Sequence, residues 1–159
     1  MTDVHPNVRR VQEALRAAGS TAEVRQLSDS TRTSAEAAAA IGVEVAQIAK
    51  TIVFLADDEP VLVVASGANR IDTEALSRHL GGKKISRPDA DVVRAATGFP
   101  IGGVSPVALP TGVTILIEKN LADFDELWAS GGTPHAVFPT SYDELLRLTS
   151  GSTSEVSHR

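Results

Sequence analysis

Lys50-Thr51-Ile52-Val53-Phe54-Leu55-Ala56 and Val61-Leu62-Val63-Val64-Ala65, separated by Asp57-Asp58-Glu59-Pro60, read as a β-hairpin. Two runs rich in β-branched and apolar residues are joined by turn formers. Both runs are almost wholly apolar, the pattern of strands covered on both faces. A hairpin set among helical patterns argues for a mixed sheet flanked by helices, and against a plain doubly wound fold.

On the N-terminal side, Val8, Val11, Leu15 and Ala18 recur at helical spacing between Pro6 and Gly19. Residues 22–27 alternate weakly, as a strand does. Thr33-Ser34-Ala35-Glu36 is a capping box that opens an alanine-rich helix ended by Gly42. Residues 43–49 read as one or two further helical turns. On the C-terminal side, Ser66-Gly67-Ala68-Asn69 breaks the second strand and Asp72 caps a helix through Leu80. Residues 83–86 form a short strand, and Pro88 opens a helix to about Ala96. Thr114–Glu118 is a strand. Phe124, Leu127 and Trp128 make an apolar helical stripe ended by Ser130-Gly131-Gly132, and Ala136-Val137-Phe138 is a strand. Ser141-Tyr142-Asp143-Glu144 opens a last helix. Residues 1–150 form one domain, and 151–159, being polar, read as a disordered tail.

With 159 residues, 42% apolar and 22% charged, the chain fits one soluble domain. The absence of cysteine excludes disulfides, a thiolate nucleophile and cysteine-ligated metal, and fits a cytoplasmic location. No apolar run approaches the roughly 18 residues of a membrane span. A net charge of −5 argues against a broad basic face for nucleic acid, though not against a local one, and no DNA partner is expected. Four scattered histidines carry no metal-ligand spacing. The glycine patterns of nucleotide-binding loops and the nucleophile elbow of α/β-hydrolases are missing.

Three features bear on chemistry. Thr97-Gly98-Phe99-Pro100-Ile101-Gly102-Gly103-Val104-Ser105-Pro106 packs three glycines and two prolines into ten residues. It is either a structural turn or a rigid loop that aims backbone N–H groups at an oxygen-rich ligand. Lys50, between apolar neighbours, either snorkels to solvent or fixes a cation at the mouth of a pocket. His135, in a Gly-Thr-Pro context before a strand, is either a satisfied structural side chain or a pocket residue. Segment 70–94 is locally basic through Arg70, Arg78, Lys83, Lys84, Arg87 and Arg94.

Taken in order, Ile48-Ala49-Lys50-Thr51-Ile52-Val53, the 97–106 loop, and Ala129-Ser130-Gly131-Gly132 before a strand resemble the YbaK/EbsC family of free-standing aminoacyl-tRNA deacylases. That family is related to the editing domain of bacterial prolyl-tRNA synthetases. Gly67 through Ile71-Asp72 fits the same pattern, and the resemblance spans roughly residues 8–149. It implies an α/β (α+β) single domain with a mixed, partly barrel-like sheet flanked by helices. It implies a trans-acting hydrolase that clears a mischarged tRNA, with the acceptor end as partner, a prolyl-tRNA synthetase as a further partner, and no cofactor or metal. Lys50 would bind the terminal phosphate-ribose or orient the ester, and Gly102 and Gly103 would offer N–H groups to the ester carbonyl. Thr51, Ser66, Gly67, Ser105, Ser130, Gly131 and His135 would line the substrate site. Residues 20–34 lack Tyr and Phe, and no acidic residue soon follows Gly132, unlike cysteine-clearing relatives. The implied substrate is therefore a proline tRNA carrying alanine or another small residue. The alternatives are a non-catalytic module that binds an acceptor end, nucleotide or amino acid on the same fold, and a hydrolase of small esters.

Overall fold

The hairpin forms as its sequence dictates, and it anchors the computed structural model, which describes residues 4–158. Strand β2 (Ile48–Ala56) pairs antiparallel with β3 (Glu59–Ser66). Asp57 and Asp58 both take positive φ (48° and 66°), as a two-residue hairpin turn demands. Leu62 and Val64 enter one core cluster, whereas Val61, Val63 and Ala65 enter another on the opposite face. This double coverage explains why the strand shows no polar alternation.

Along the chain, α1 (Pro6–Ala17) is followed by β1 (Arg25–Gln26) and α2 (Ser34–Ile41). A 3-10 turn at Val45–Gln47 then leads into β2. After β3 come β4 (Arg70–Ile71), α3 (Thr73–His79), β5 (Ile85–Ser86) and α4 (Ala90–Thr97). The glycine-proline loop precedes β6 (Thr114–Glu118), β7 (Leu127–Ser130), β8 (Ala136–Thr140) and α5 (Tyr142–Thr149). The chain closes with β9 (Ser152–Ser154) and β10 (Ser157–His158). The main sheet runs β1-β8-β7-β2-β3-β6-β9, with β5 beside β2, and β4 pairs separately with β10. It is mixed: β2–β7, β3–β6 and β6–β9 are parallel, the other pairs antiparallel.

One feature of this topology creates the site. Along one edge β2 pairs continuously with β3 from Ala49 to Ala56. Along its other edge it meets β7 only at Ile48 and Ala49, and β5 only at Leu55 and Ala56. Residues 50–54 therefore have no strand partner on that side, and the sheet is split there.

The caps read from sequence form where expected. Thr33 Oγ1 accepts from Glu36 N–H (3.1 Å), Asp72 from Glu74 and Ala75 N–H, and Ser141 from Glu144 N–H (3.2 Å). The α4 helix starts two residues after Pro88, with Asp89 as its cap. Val11 and Leu15 put the apolar stripe of α1 fully into the larger cluster with Phe99, Phe138 and Leu145. Each such side chain contributes about 1.5–3 kcal/mol of burial.

Four expectations need correction. Leu127 and Trp128 belong to a strand, not a helical stripe. Leu127 and Ala129 enter the larger cluster while Trp128 packs with Ala37, Ala38 and Val137, so both faces are covered and period 2 is hidden. The strand expected over 22–27 shrinks to Arg25–Gln26, and the turns expected over 43–49 shrink to one 3-10 turn. Residues 152–158 are not a free tail: β9 extends the main sheet, β10 pairs with β4, and Val156 is buried. Their anchor is the buried carboxyl of Glu118, which accepts from Ser154 Oγ and from Val156 N–H at 3.0 and 3.1 Å.

Candidate functional site

The split beside β2 opens into a cleft whose lining includes Lys50, Thr51, Gly102 and Ser130. An outer lobe shares Lys50, Thr51 and Gly102 and adds Arg87, Pro88 and Ile101. The floor is apolar and close-walled: Ala37, Ile48, Trp128 and Val137. Trp128 is held by its indole N–H to Glu126 Oε1 (2.9 Å) and by Arg25 stacked 4.8 Å from its ring.

Lys50 is half-buried, and its ammonium donates to the Asn69 carbonyl at 2.7 Å. Burial pushes its pKa below the ordinary lysine value, and the nearby charges of Arg87 and Arg70 push it further down. The hydroxyl of Thr51 is buried without a hydrogen-bond partner. A buried polar atom left unpaired costs free energy, so a ligand that reaches Thr51 gains by pairing it.

The glycine-proline loop faces this pair. Its turn runs from Pro100 to Gly103, closed by Gly103 N–H to Pro100 O (2.9 Å). Gly102 takes φ 83° at the third position, the conformation type II turns require. The Gly103 N–H is thereby occupied, which corrects the expectation of two free donors. The Gly102 N–H has no protein partner among the described residues. Gly103 has a different reason to be glycine. A Cβ there would lie 2.8 Å from backbone atoms of Thr133, so the loop can press against the 131–135 segment only without a side chain. Gly103→Ala is expected to cost about 1–3 kcal/mol by overpacking. Thermal unfolding checks this, and an unchanged Tm would show that the contact yields freely.

Of the other expected site residues, Ser130 also lines the cleft, with its Oγ accepting from Gly132 N–H (3.3 Å), and the rest lie elsewhere. Ser66 bonds the Ala46 carbonyl (2.8 Å) and faces a neighbouring cavity. Ser105 is fully buried and accepts from Val107 N–H (3.3 Å). Gly67 abuts Ser34, and Gly131 donates to Ala136 O (2.8 Å) inside its turn. His135 is exposed and does not line the cleft. Its Nδ1 lies 3.1 Å from the Asp29 carbonyl. Since a carbonyl can only accept, this contact makes Nδ1 the protonated nitrogen. With Leu27 N–H on His135 O and Thr31 N–H on Pro134 O, His135 fixes the segment leading into α2. Arg32, Arg87 and Trp128 also line the cleft; the sequence marks Arg87 only as one charge of the basic segment 70–94, and Arg32 not at all. The two arginines look like any solvated charge in sequence, and Trp128 was placed in a helix.

Helix α1 braces both glycine loops from behind. Arg10 stacks 4.3 Å from the Phe99 ring and donates to Gly98 O, and Asn7 Nδ2 donates to Gly132 O (3.1 Å). Among the described residues no group of three or more His, Cys, Asp or Glu is placed to hold a metal. No helix there is long and apolar enough to cross a membrane.

Residues 28–148 match the model of the aminoacyl-tRNA editing domain. The proline–tRNA ligase of Streptococcus equi subsp. equi is 29% identical over 132 residues, 77% of this chain and 21% of the ligase. That of a Geobacter species is 35% identical over 86 residues, 54% of this chain and 15% of the ligase. The chain thus spans about a fifth, or less, of the length of these relatives. A crystal structure of a proposed trans-editing enzyme for prolyl tRNA synthetase superposes with a TM-score of 0.91 at 39% identity, over 99% of this chain and 100% of that one.

Proposed function

Because the chain belongs to the aminoacyl-tRNA editing domain family, we propose that it acts in trans as a deacylase. It hydrolyses the ester between a wrongly attached small amino acid and the 3′-terminal ribose of a proline tRNA. The observation that carries this reading is the convergence on one cleft of a fixed cation (Lys50), an unpaired hydroxyl (Thr51) and an unpaired backbone N–H (Gly102).

An aminoacyl ester is already activated, so positioning and carbonyl polarisation carry most of the work. Water adds to the carbonyl carbon, and negative charge gathers on the carbonyl oxygen. Gly102 N–H donates to that oxygen. The tetrahedral species collapses with loss of the ribose oxygen, which takes up one of the two protons of the attacking water; the other passes to solvent, and the amino acid leaves as its carboxylate. Lys50 orients the ribose-phosphate end, and Thr51 pairs with the ester or the adjacent ribose hydroxyl. The floor of Ala37, Ile48, Trp128 and Val137 selects small side chains by size, the principle of a second sieve. The relation to proline–tRNA ligases and to a proposed trans-editing enzyme supports the choice of tRNA. A prolyl-tRNA synthetase that releases the mischarged tRNA is the partner this reading implies, and the cytoplasm the compartment.

The test is a deacylation panel of alanyl-, seryl-, cysteinyl- and prolyl-esters on one proline tRNA. Rapid loss of alanine with proline spared is expected. Binding without turnover would establish the non-catalytic module, and turnover of small esters alone would establish a general esterase.

The brace from α1 adds a prediction. Arg10→Ala removes a stack worth about 1 kcal/mol and releases the Gly98 carbonyl. A several-fold fall in kcat with KM nearly unchanged is expected, because Arg10 does not line the cleft. A change in KM alone would place Arg10 in substrate binding.

A further inference from the structure

Lys50 carries its charge on a flexible four-carbon stem. Among the described residues its ammonium meets one protein acceptor, the Asn69 carbonyl at 2.7 Å. No carboxylate pairs with it, since the one ion pair among the described residues is Lys119–Glu155. A carboxylate would hold the ammonium and cancel its charge. A carbonyl holds it and leaves the full charge for a substrate. The place of the Asn69 carbonyl therefore decides the place of the cation.

That carbonyl is carried by the turn Ser66-Gly67-Ala68-Asn69, which leaves the last residue of β3. Asn69 is only 7% exposed. The Ser66 hydroxyl donates to Ala46 O (2.8 Å) and accepts from Ala68 N–H (3.3 Å). The Ser66 carbonyl accepts from Asn69 N–H (3.0 Å), and Gly67 N–H donates to Ile48 O (2.7 Å). The arrangement closes on itself: Ala46 and Ile48 hold the turn, and the turn holds Lys50. It is also tightly seated, because a Cβ on Gly67 would lie 2.6 Å from Ser34 Cβ and 2.7 Å from Val45 O. Ser66 lines the neighbouring cavity and not the cleft, so whatever it does for a substrate passes through Asn69.

Resting on the function proposed above, we propose that Ser66 is a positioning residue for deacylation. Its hydroxyl locks the 66–69 turn, the Asn69 carbonyl of that turn aims the Lys50 ammonium into the cleft, and the aim sets turnover. Without the hydroxyl the turn loses two of its four closing hydrogen bonds, those to Ala46 O and from Ala68 N–H. The lysine stem is then free to swing. A misplacement of about 1 Å at a reacting group costs on the order of 100-fold in rate, and a loosened carbonyl costs part of that.

The test follows the ammonium itself, by NMR of isotope-labelled lysine at low temperature and mildly acidic pH. Wild type is expected to show a slowly exchanging side-chain ammonium that is absent from Lys50→Met. Ser66→Ala should speed its hydrogen exchange several-fold and lower kcat by about tenfold. Ser66→Thr keeps the hydroxyl, has a cavity to receive its methyl, and should restore both. Thr149→Ala is the matched control. Thr149 Oγ1 likewise donates to a carbonyl, Leu145 O (2.7 Å), and accepts an N–H, that of Gly151 (3.0 Å), away from the cleft. Thr149→Ala should lower Tm about as much as Ser66→Ala, through the loss of similar bonds, and change neither exchange nor kcat. In a Lys50→Met background, Ser66→Ala should leave the residual rate unchanged, the non-additivity of residues that act as one unit. The proposal is overturned by a wild type without a slowly exchanging Lys50 ammonium, by exchange or kcat indifferent to Ser66→Ala, by an equal effect of Thr149→Ala, or by full additivity in the double variant. Failure of wild type to hydrolyse any aminoacyl ester, while Lys50 exchange still depends on Ser66, overturns the deacylase reading and leaves Ser66 as the residue that holds Lys50.

Discussion

Lys50→Met is expected to abolish deacylation, by about 100-fold or more, while leaving the melting temperature at or above that of wild type. The loss follows from removing a preorganised charge at the reacting end of the substrate, where single electrostatic contacts are worth about 2.7–4 kcal/mol. The gain in stability follows from the sign of the pKa shift. Burial, then Arg87 and Arg70, disfavour the charged form of Lys50 in the fold. Between the lowered folded pKa and the ordinary lysine value, the unfolded chain holds more protons than the folded one. Stability from this group therefore rises with pH through that window, and at neutral pH the cost of the charge is present in full. Methionine keeps the length and removes the charge. The Asn69 carbonyl that loses its donor lines a neighbouring cavity that water can enter. A drop in Tm of more than about 3 °C, or retained turnover, would sink this account. The pH profile offers a second check. The alkaline limb of deacylation should fall with a midpoint below the ordinary lysine range, and Lys50→Arg, with whatever activity it keeps, should lose that limb because guanidinium does not deprotonate.

Glu118→Ala should be the most destabilising single change outside the apolar core, by about 3 kcal/mol. Its carboxyl is 1% exposed and gathers the Ser154 hydroxyl and the Val156 N–H, which lie 36 and 38 residues on. Hydrogen bonds to a carboxylate contribute roughly 1.5–3 kcal/mol each, and their removal leaves Val156 N–H buried without an acceptor. For a domain of this size, about 3 kcal/mol corresponds to a Tm lower by roughly 6–12 °C. Amide hydrogen exchange should accelerate across 152–158, whereas residues 50–54 and deacylation at low temperature should be little affected. A Tm within 2 °C of wild type, or fast exchange spread evenly through the sheet, would show that β9 and β10 are held by something else.

What separates the elements legible in the sequence from those hidden in it is the range of the contacts that make them. Thr33, Asp72 and Ser141 were readable because a cap is a local contact, closed within two or three residues. The β2–β3 hairpin was readable because both its runs and its turn are contiguous. Strand β7 was hidden because Leu127 and Trp128 are both buried, on opposite faces, so no alternation marks the strand. The C-terminal strands were hidden because this mostly polar stretch is held by Glu118, far away in sequence, through Ser154 Oγ and Val156 N–H. In the site, Lys50 and Thr51 stood out as polar residues inside an apolar strand. The small residues did not sort themselves: Gly102 and Ser130 reach the cleft, while Ser66, Ser105 and Gly131 satisfy backbone groups elsewhere. Only long-range contacts distinguish the two kinds.

The brace between α1 and the two glycine loops bears on how portable this catalytic module is. The family match begins at residue 28, yet Asn7 and Arg10 hold Gly132 and Gly98 from behind, and Val11 and Leu15 fill the larger core. Residues 28–148 excised and spliced into another scaffold would carry every cleft residue but not the helix that sets the loops' spacing. Such a transplant would need a host surface offering the same two hydrogen bonds and the same cation over Phe99.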